Sequence, residues 1–368
     1  LLIELQKGRR WAMSISIKTP IRGALTALVT PFTEDGAIDY DGLNKNLEFQ
    51  FLQRIAGLVP AGTTGEASTL KTDEHEQLLA FVARRAGRAA FLMAGCGSNS
   101  TDEAMGLVSA SYRLGYPSAL LVDPYYNCPS SLEIAQNYYR PIAEAFPGMT
   151  IVPYVIPGRT GCELTVEDLV RLAKAIPNVR AVKDATGNRE RMEKTRLTAP
   201  EGFAIFSGDD NMTFDVMRNQ TIHADGVISV ISNVCPGAVS KMCKAALDGD
   251  MGTAMQLHNA LTPLFNVVTV LADRPADPSN GEVAGVQDKF RNPVPVKTLM
   301  AALGMPVGPC RRPLGKMTKP GVMQIRDAIS VVLAKSPELF RPIEDFYGVD
   351  IARRWEDDAM WEALTYWQ

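Results

Sequence analysis

Lys183 closes a short apolar run, Val179–Val182 with Arg180 inside it, and stands just before an Asp-Ala-Thr-Gly turn. Such a run reads as a buried strand, so the lysine sits at a strand's mouth. Burying an ammonium is costly unless it is paired, so this lysine must be paired, neutral or chemically used. A desolvated amine is a nucleophile for a carbonyl carbon, which is the entry to Schiff-base chemistry. Taken alone, the stretch is more simply a strand-end lysine snorkelling into solvent.

The elements around it change that balance. From Arg22 the chain repeats a unit of short apolar segment, Gly- or Pro-containing turn and amphipathic stretch. The apolar segments are Ala24–Val29, Gly57–Pro60, Phe91–Ala94, Ala119–Val122, Ile151–Tyr154, Ala181–Lys183, Ala204–Ser207 and Gly226–Ser229. Each is short enough for a strand buried on both faces. Between them lie helical patterns, such as Leu43, Leu47 and Phe51, or Leu169, Leu172 and Ile176 behind a Thr165-Val-Glu-Asp168 cap. Eight such units predict an α/β chain folded as a (β/α)8 TIM barrel over residues 21–250, and no Gly-rich dinucleotide fingerprint argues for an open sheet. Residues 1–20 read as an N-terminal extension. Helical patterns at Met251–Ala272, Val294–Leu303 and Val322–Ala334 predict a C-terminal helical subdomain over residues 251–335, with residues 273–292 as a long surface loop inserted in it. A tail, residues 336–368, carries Trp355, Trp361 and Trp367 and is expected to dock on the body or on a partner subunit.

In a barrel the loops that follow the strands build the site, so the polar residues there belong together. Gly62-Thr-Thr-Gly-Glu66 can turn backbone N–H groups and a Thr hydroxyl towards a carboxylate, though it also suits a tight turn. Asp123-Pro-Tyr-Tyr-Asn127 brings two phenols, which are proton carriers or packing residues, and Arg159 in Pro157-Gly-Arg-Thr-Gly161 offers a fork for a carboxylate or a surface ion pair. One lysine facing hydroxyls and an arginine is a carbonyl-chemistry constellation.

Composition removes several alternatives. The 368 residues are 46% hydrophobic, enough for a full core, and carry a formal charge of −3. No basic footprint invites nucleic acid, and no apolar run is long enough to span a membrane. The three histidines form no ligand pair, so no metal is expected. Six cysteines without CxxC spacing fit reduced thiols in a cytoplasmic protein, with an organelle as the alternative if a targeting peptide preceded Leu1.

In this order along one chain, GTTGE at Gly62, DPYYN at Asp123, Tyr154 with PGRTG at Pro157, VKDATGN at Val182, SGDD at Ser207, GVISV at Gly226 and NPVPVK at Asn292 resemble the dihydrodipicolinate synthase and N-acetylneuraminate lyase family of pyruvate-dependent class I aldolases. The resemblance spans about Ile21 to Met317. It implies that Lys183 is the Schiff-base lysine and that Thr64 holds the pyruvate carboxylate. Thr63, Tyr126 and Tyr154 match the proton-relaying hydroxyl triad, with Tyr126 inserted from a neighbouring subunit of a homotetramer or homodimer. Gly226 and Ile228 match the wall of the pyruvate pocket, and no cofactor is needed beyond the imine. Arg159 matches the residue that receives the carboxylate of L-aspartate 4-semialdehyde, which favours a synthase making 4-hydroxy-tetrahydrodipicolinate for lysine and diaminopimelate synthesis. The alternatives are another pyruvate aldolase or dehydratase acting on sugar acids or hydroxy-oxo acids and, more distantly, a non-catalytic barrel. His75, Asn99, Glu103 and Tyr125 match positions lining a regulatory L-lysine site, although Thr72 and Ala67 depart from it. Val155, Asp184 and Thr221–Asp225 are further departures, as are the 273–292 insertion and the tail.

Overall fold

In the computed structural model, which describes residues 21–274 and 286–366, the eight apolar segments become eight parallel strands. They are β1 Gly23–Ala27, β2 Gly57–Val59, β3 Phe91–Gly95, β4 Ser118–Val122, β5 Thr150–Val155, β6 Ala181–Asp184, β7 Ala204–Ser207 and β8 Gly226–Ser229. The sheet closes because β1 pairs with both β2 and β8. Alternate side chains split between two cores. Leu25, Val152, Ala181 and Phe206 fill the barrel, whereas Val155, Val182, Ile205 and Val227 face the helices. Lys183, two residues beyond Ala181, therefore points inward, in register with Tyr154 on β5 and Phe206 on β7.

The helices follow the expected periodicity. Tyr40–Leu52 buries Leu43 and Leu47, and Val166–Ala175 starts where the Asp168 N–H donates to the Thr165 hydroxyl. No helix among the described residues is long and apolar enough to cross a membrane.

Beyond the barrel the structure corrects one expectation. The helix from Met251 stops at Phe265, and the described residues at both ends of the expected loop belong to strands. There β9 Thr269–Asp273 pairs antiparallel with β10 Gln287–Arg291, setting Arg291 opposite Thr269. The run Val267-Val-Thr-Val270 explains the difference, because β-branched residues favour a pleated, half-buried strand over another helical turn. Val270 and Ala272 are buried and their neighbours exposed, an alternation that a helical reading of so short a segment misses.

The tail docks on the chain's own body. Phe346 and Tyr347 pack on Phe49 at ring-centroid distances of 5.4 and 5.2 Å. Arg326 lies over the Trp355 and Trp361 rings, and the Trp355 indole donates to the Arg326 carbonyl at 3.1 Å. Trp367 and the 1–20 extension lie outside the described residues.

Candidate active site

Lys183 is only 6% exposed, and its Nζ stands 4.0 Å from the centroid of the Tyr154 ring. The next residue, Asp184, turns the other way and is gripped from the helix layer. Its Oδ2 accepts from Arg191 Nε at 3.0 Å, and its Oδ1 accepts from the Thr186 N–H and hydroxyl at 3.0 and 2.6 Å. Arg191 also donates to Glu163 and to the Leu164 carbonyl. The mouth of β6 is thus held from outside while Lys183 faces the interior. Asp209, after β7, senses the Lys183 charge: burial raises its carboxyl pKa and the ammonium opposes that rise.

The Gly62–Glu66 loop after β2 is pinned at several points. The Thr30 hydroxyl donates to the Gly65 carbonyl at 2.8 Å, and a Cβ on Gly65 would come within 2.9 Å of the Leu28 carbonyl oxygen. Glu66 adopts a left-handed φ of 56° and directs its carboxylate into the protein. There Oε1 accepts from Lys297 Nζ at 2.7 Å and Oε2 from the Arg311 N–H at 2.8 Å. Lys297 also donates to the carbonyls of Thr30 and Pro309 and lies over the Phe32 ring. Asn292, at the exit of the hairpin, donates to the Thr64 hydroxyl at 2.9 Å and accepts from Arg159 at 2.8 Å through its carbonyl.

Thr63, Tyr154 and Arg159 line a cavity of about 630 Å³. His75, Glu103 and Tyr125 line it too, so three of the four residues matched to a regulatory site share one chamber with Thr63, Tyr154 and Arg159. Burial lowers the His75 pKa, and the neutral ring donates from Nε2 to the Gly95 carbonyl at 2.7 Å, since that oxygen only accepts. Burial, with the Glu103 charge adding, raises the Tyr125 phenol. Asn99 is exposed and meets Tyr125 through its backbone.

Tyr126 lies apart from these residues. It is 85% exposed with φ 78° and does not line the cavity. Ile228 is buried in the barrel interior with Tyr154 and Phe206. Gly226 begins β8 instead of ending it, and a Cβ there would fall 1.9 Å from the Gly23 carbonyl oxygen. The close β1–β8 contact is therefore sufficient reason for glycine at that position.

Against known proteins, residues 20–275 match the model of the dihydrodipicolinate synthetase family. The chain belongs to this family. It is 36% identical over 310 residues to the 4-hydroxy-tetrahydrodipicolinate synthase of Methanothrix thermoacetophila, covering 84% of this chain and 96% of the relative. The solved 4-hydroxy-tetrahydrodipicolinate synthase of Methylacidiphilum fumariolicum SolV superposes with a TM-score of 0.77 at 33% identity, covering 88% of this chain and 99% of that one. The synthase of Cyanidioschyzon merolae with lysine bound gives 0.75 at 33% identity, covering 85% and 98%.

Within this dihydrodipicolinate synthetase fold, several residues matter that motif reading passed over. Lys297 belongs to the NPVPVK motif and Glu66 to GTTGE, yet only the fold reveals that they form one buried ion pair. Asn292 opens the same motif and ties Thr64 to Arg159. Arg191 is exposed by no sequence signal, because a charged residue on a polar helix ordinarily faces solvent. Arg291, on the hairpin, donates to the Gly158 carbonyl at 2.6 Å.

Proposed function

We infer that the chain condenses pyruvate with L-aspartate 4-semialdehyde to 4-hydroxy-tetrahydrodipicolinate, with Lys183 as the covalent catalyst. The observation that carries this is one inward-facing, buried lysine beside Tyr154, in a barrel whose cavity is lined by Thr63, Tyr154 and Arg159, with Thr64 held by Asn292. The Lys183 amine adds to the pyruvate ketone, and loss of water leaves an imine. The imine draws electrons from the adjacent methyl group, which loses a proton to give an enamine. That enamine carbon attacks the aldehyde, forming the new C–C bond while the aldehyde oxygen takes up a proton. The acceptor's own amine then adds to the imine carbon, closing the ring as the C–N bond to Lys183 breaks and the lysine amine leaves. Tyr154 and Thr63 carry these protons, and Tyr126 joins them from a neighbouring subunit of a homodimer or homotetramer. Thr64 holds the pyruvate carboxylate, Ile228 bounds the pocket, and Arg159 receives the acceptor's carboxylate. Gly226 serves the pocket indirectly, by letting β8 close against β1.

His75, Glu103 and Tyr125, with Asn99 behind Tyr125, form a site for L-lysine as a feedback inhibitor, Glu103 pairing the ammonium. Their opening into the catalytic chamber supplies a physical route for coupling. One experiment tests both parts. Pyruvate with borohydride should leave a reduced adduct on the peptide containing Lys183, and initial rates with aspartate semialdehyde should fall as L-lysine rises to millimolar levels. An adduct elsewhere removes the covalent role, and a flat lysine titration removes the effector site.

A further inference from the structure

The β9–β10 hairpin lies outside the motifs that mark the family, yet it ends inside the cavity. Two arginines meet there in a reciprocal clasp. Arg159 donates from Nη2 to the Asn292 carbonyl at 2.8 Å, and Arg291 donates from Nη1 to the Gly158 carbonyl at 2.6 Å. Each side chain therefore grips the backbone next to the other. Both line the cavity together with Thr63 and Tyr154.

Nothing among the described residues neutralises this pair. Neither Arg159 nor Arg291 makes an ion pair with a carboxylate, although Arg22, Arg189, Arg191, Arg196, Arg274 and Arg311 all do. A guanidinium has five N–H donors, and one on each arginine is committed to a carbonyl. Two like charges held side by side repel, and the arrangement settles when an anion sits between them. Removal from water lowers the Arg159 pKa, the Tyr154 phenol opposes that, and the like charge of Arg291 adds a smaller lowering.

We propose that Arg291 is a specificity-determining residue for the acceptor, its guanidinium sharing the acceptor's carboxylate with that of Arg159. This rests on the synthase reading of the site and extends it to a residue on the inserted hairpin. The committed ligand group is a carboxylate on the aldehyde substrate, because pyruvate's own carboxylate has the pinned Thr64 loop. The hairpin is then part of the active site as well as a surface elaboration.

The test compares the full-length wild type with Arg291→Gln, Arg291→Ala and Arg291→Lys, varying each substrate and trapping the pyruvate adduct with borohydride. Glutamine keeps an N–H donor on a shorter side chain and has no charge, while lysine keeps the charge, so the two variants together with the salt series separate ligand binding from the clasp. The expected result is a KM for aspartate semialdehyde raised about tenfold in Arg291→Gln as well as in Arg291→Ala. The KM for pyruvate and the adduct yield should stay within about twofold, and Arg291→Lys should lose less. Raising the salt concentration should weaken acceptor binding more in the wild type than in Arg291→Gln. An Arg291→Gln enzyme with the wild-type acceptor KM overturns the proposal and leaves Arg291 a clasp. Should Arg291→Ala fail to fold, the Gln and Lys variants still decide. A wild type that forms the adduct but does not consume aspartate semialdehyde overturns the synthase reading, and the wild type alone reveals it.

Discussion

The two sides of the cavity mouth are built differently. On the Gly62–Glu66 side the loop is fastened by the Glu66–Lys297 pair, the Thr30–Gly65 bond and Asn292 on Thr64. On the Asp123–Cys128 side the chain leaves the barrel with Tyr126 and Cys128 both at positive φ and the Tyr126 ring 85% exposed. The first side is complete within one chain, and the second presents its phenol outwards. Positions that hold a substrate must be rigid before it arrives, since a small misplacement costs catalysis. A proton carrier supplied across an interface need only be positioned once the partner is there.

Breaking the fastened side has the largest expected effect. Lys297→Ala leaves the Glu66 carboxylate buried without its cation, which should cost about 3–5 kcal/mol in stability. Chemical denaturation measures it, and borohydride trapping of pyruvate should weaken in parallel as the Thr64 loop loosens. A loss below about 1 kcal/mol would place the loop's rigidity elsewhere, outside this pair.

The open side should behave in the opposite way. On the role proposed for Tyr126, Tyr126→Phe should drop turnover about 100-fold while the denaturation midpoint stays put, since the ring is exposed. Co-expression with Lys183→Ala should restore activity, because one chain then lends Tyr126 to the intact Lys183 of the other. Folded hybrids that remain inactive would show that Tyr126 does not act across an interface.

A smaller effect sharpens the fastened side at its solvent edge, where Arg311 grips Glu74 with two bonds of 2.8 and 2.6 Å. The hydrogen bonds from Arg311 pull the Glu74 carboxyl from an ordinary value of 4.5 down to about 2. Its folded value is depressed, so its stabilisation is present above pH 4.5 and is lost as pH falls towards 2. Glu74→Gln should cost about 1 kcal/mol at neutral pH, since the pair is partly exposed. The variant's stability should also change less than the wild type's across that acidic window, and equal slopes in the two denaturation series would contradict the assignment.

How much of this was legible beforehand differs from residue to residue. Eight strands appeared as apolar runs because each is buried on both faces, and Lys183 stood out because burial and charge conflict within one short segment. The Thr269–Asp273 strand did not, since a few β-branched residues after a helix look like another helical turn until a partner strand is known. Arg191 and Lys297 carry no local signal of burial, because no local pattern distinguishes a solvated cation from one paired across 7 or 231 residues of chain.

The sequence by itself determined the alternation of strands and helices, the strand-end position of Lys183 and the order of motifs that places the chain in its family. These are properties of local periodicity and of residue type. The tertiary structure alone decided that Asn292 reaches Thr64, that Glu66 and Lys297 meet out of water, that Arg291 arrives beside Arg159 and that Tyr126 faces outwards. Each of these depends on closing the barrel and docking the hairpin and C-terminal helices on it, which brings together residues whose separation along the chain carries no trace of their contact.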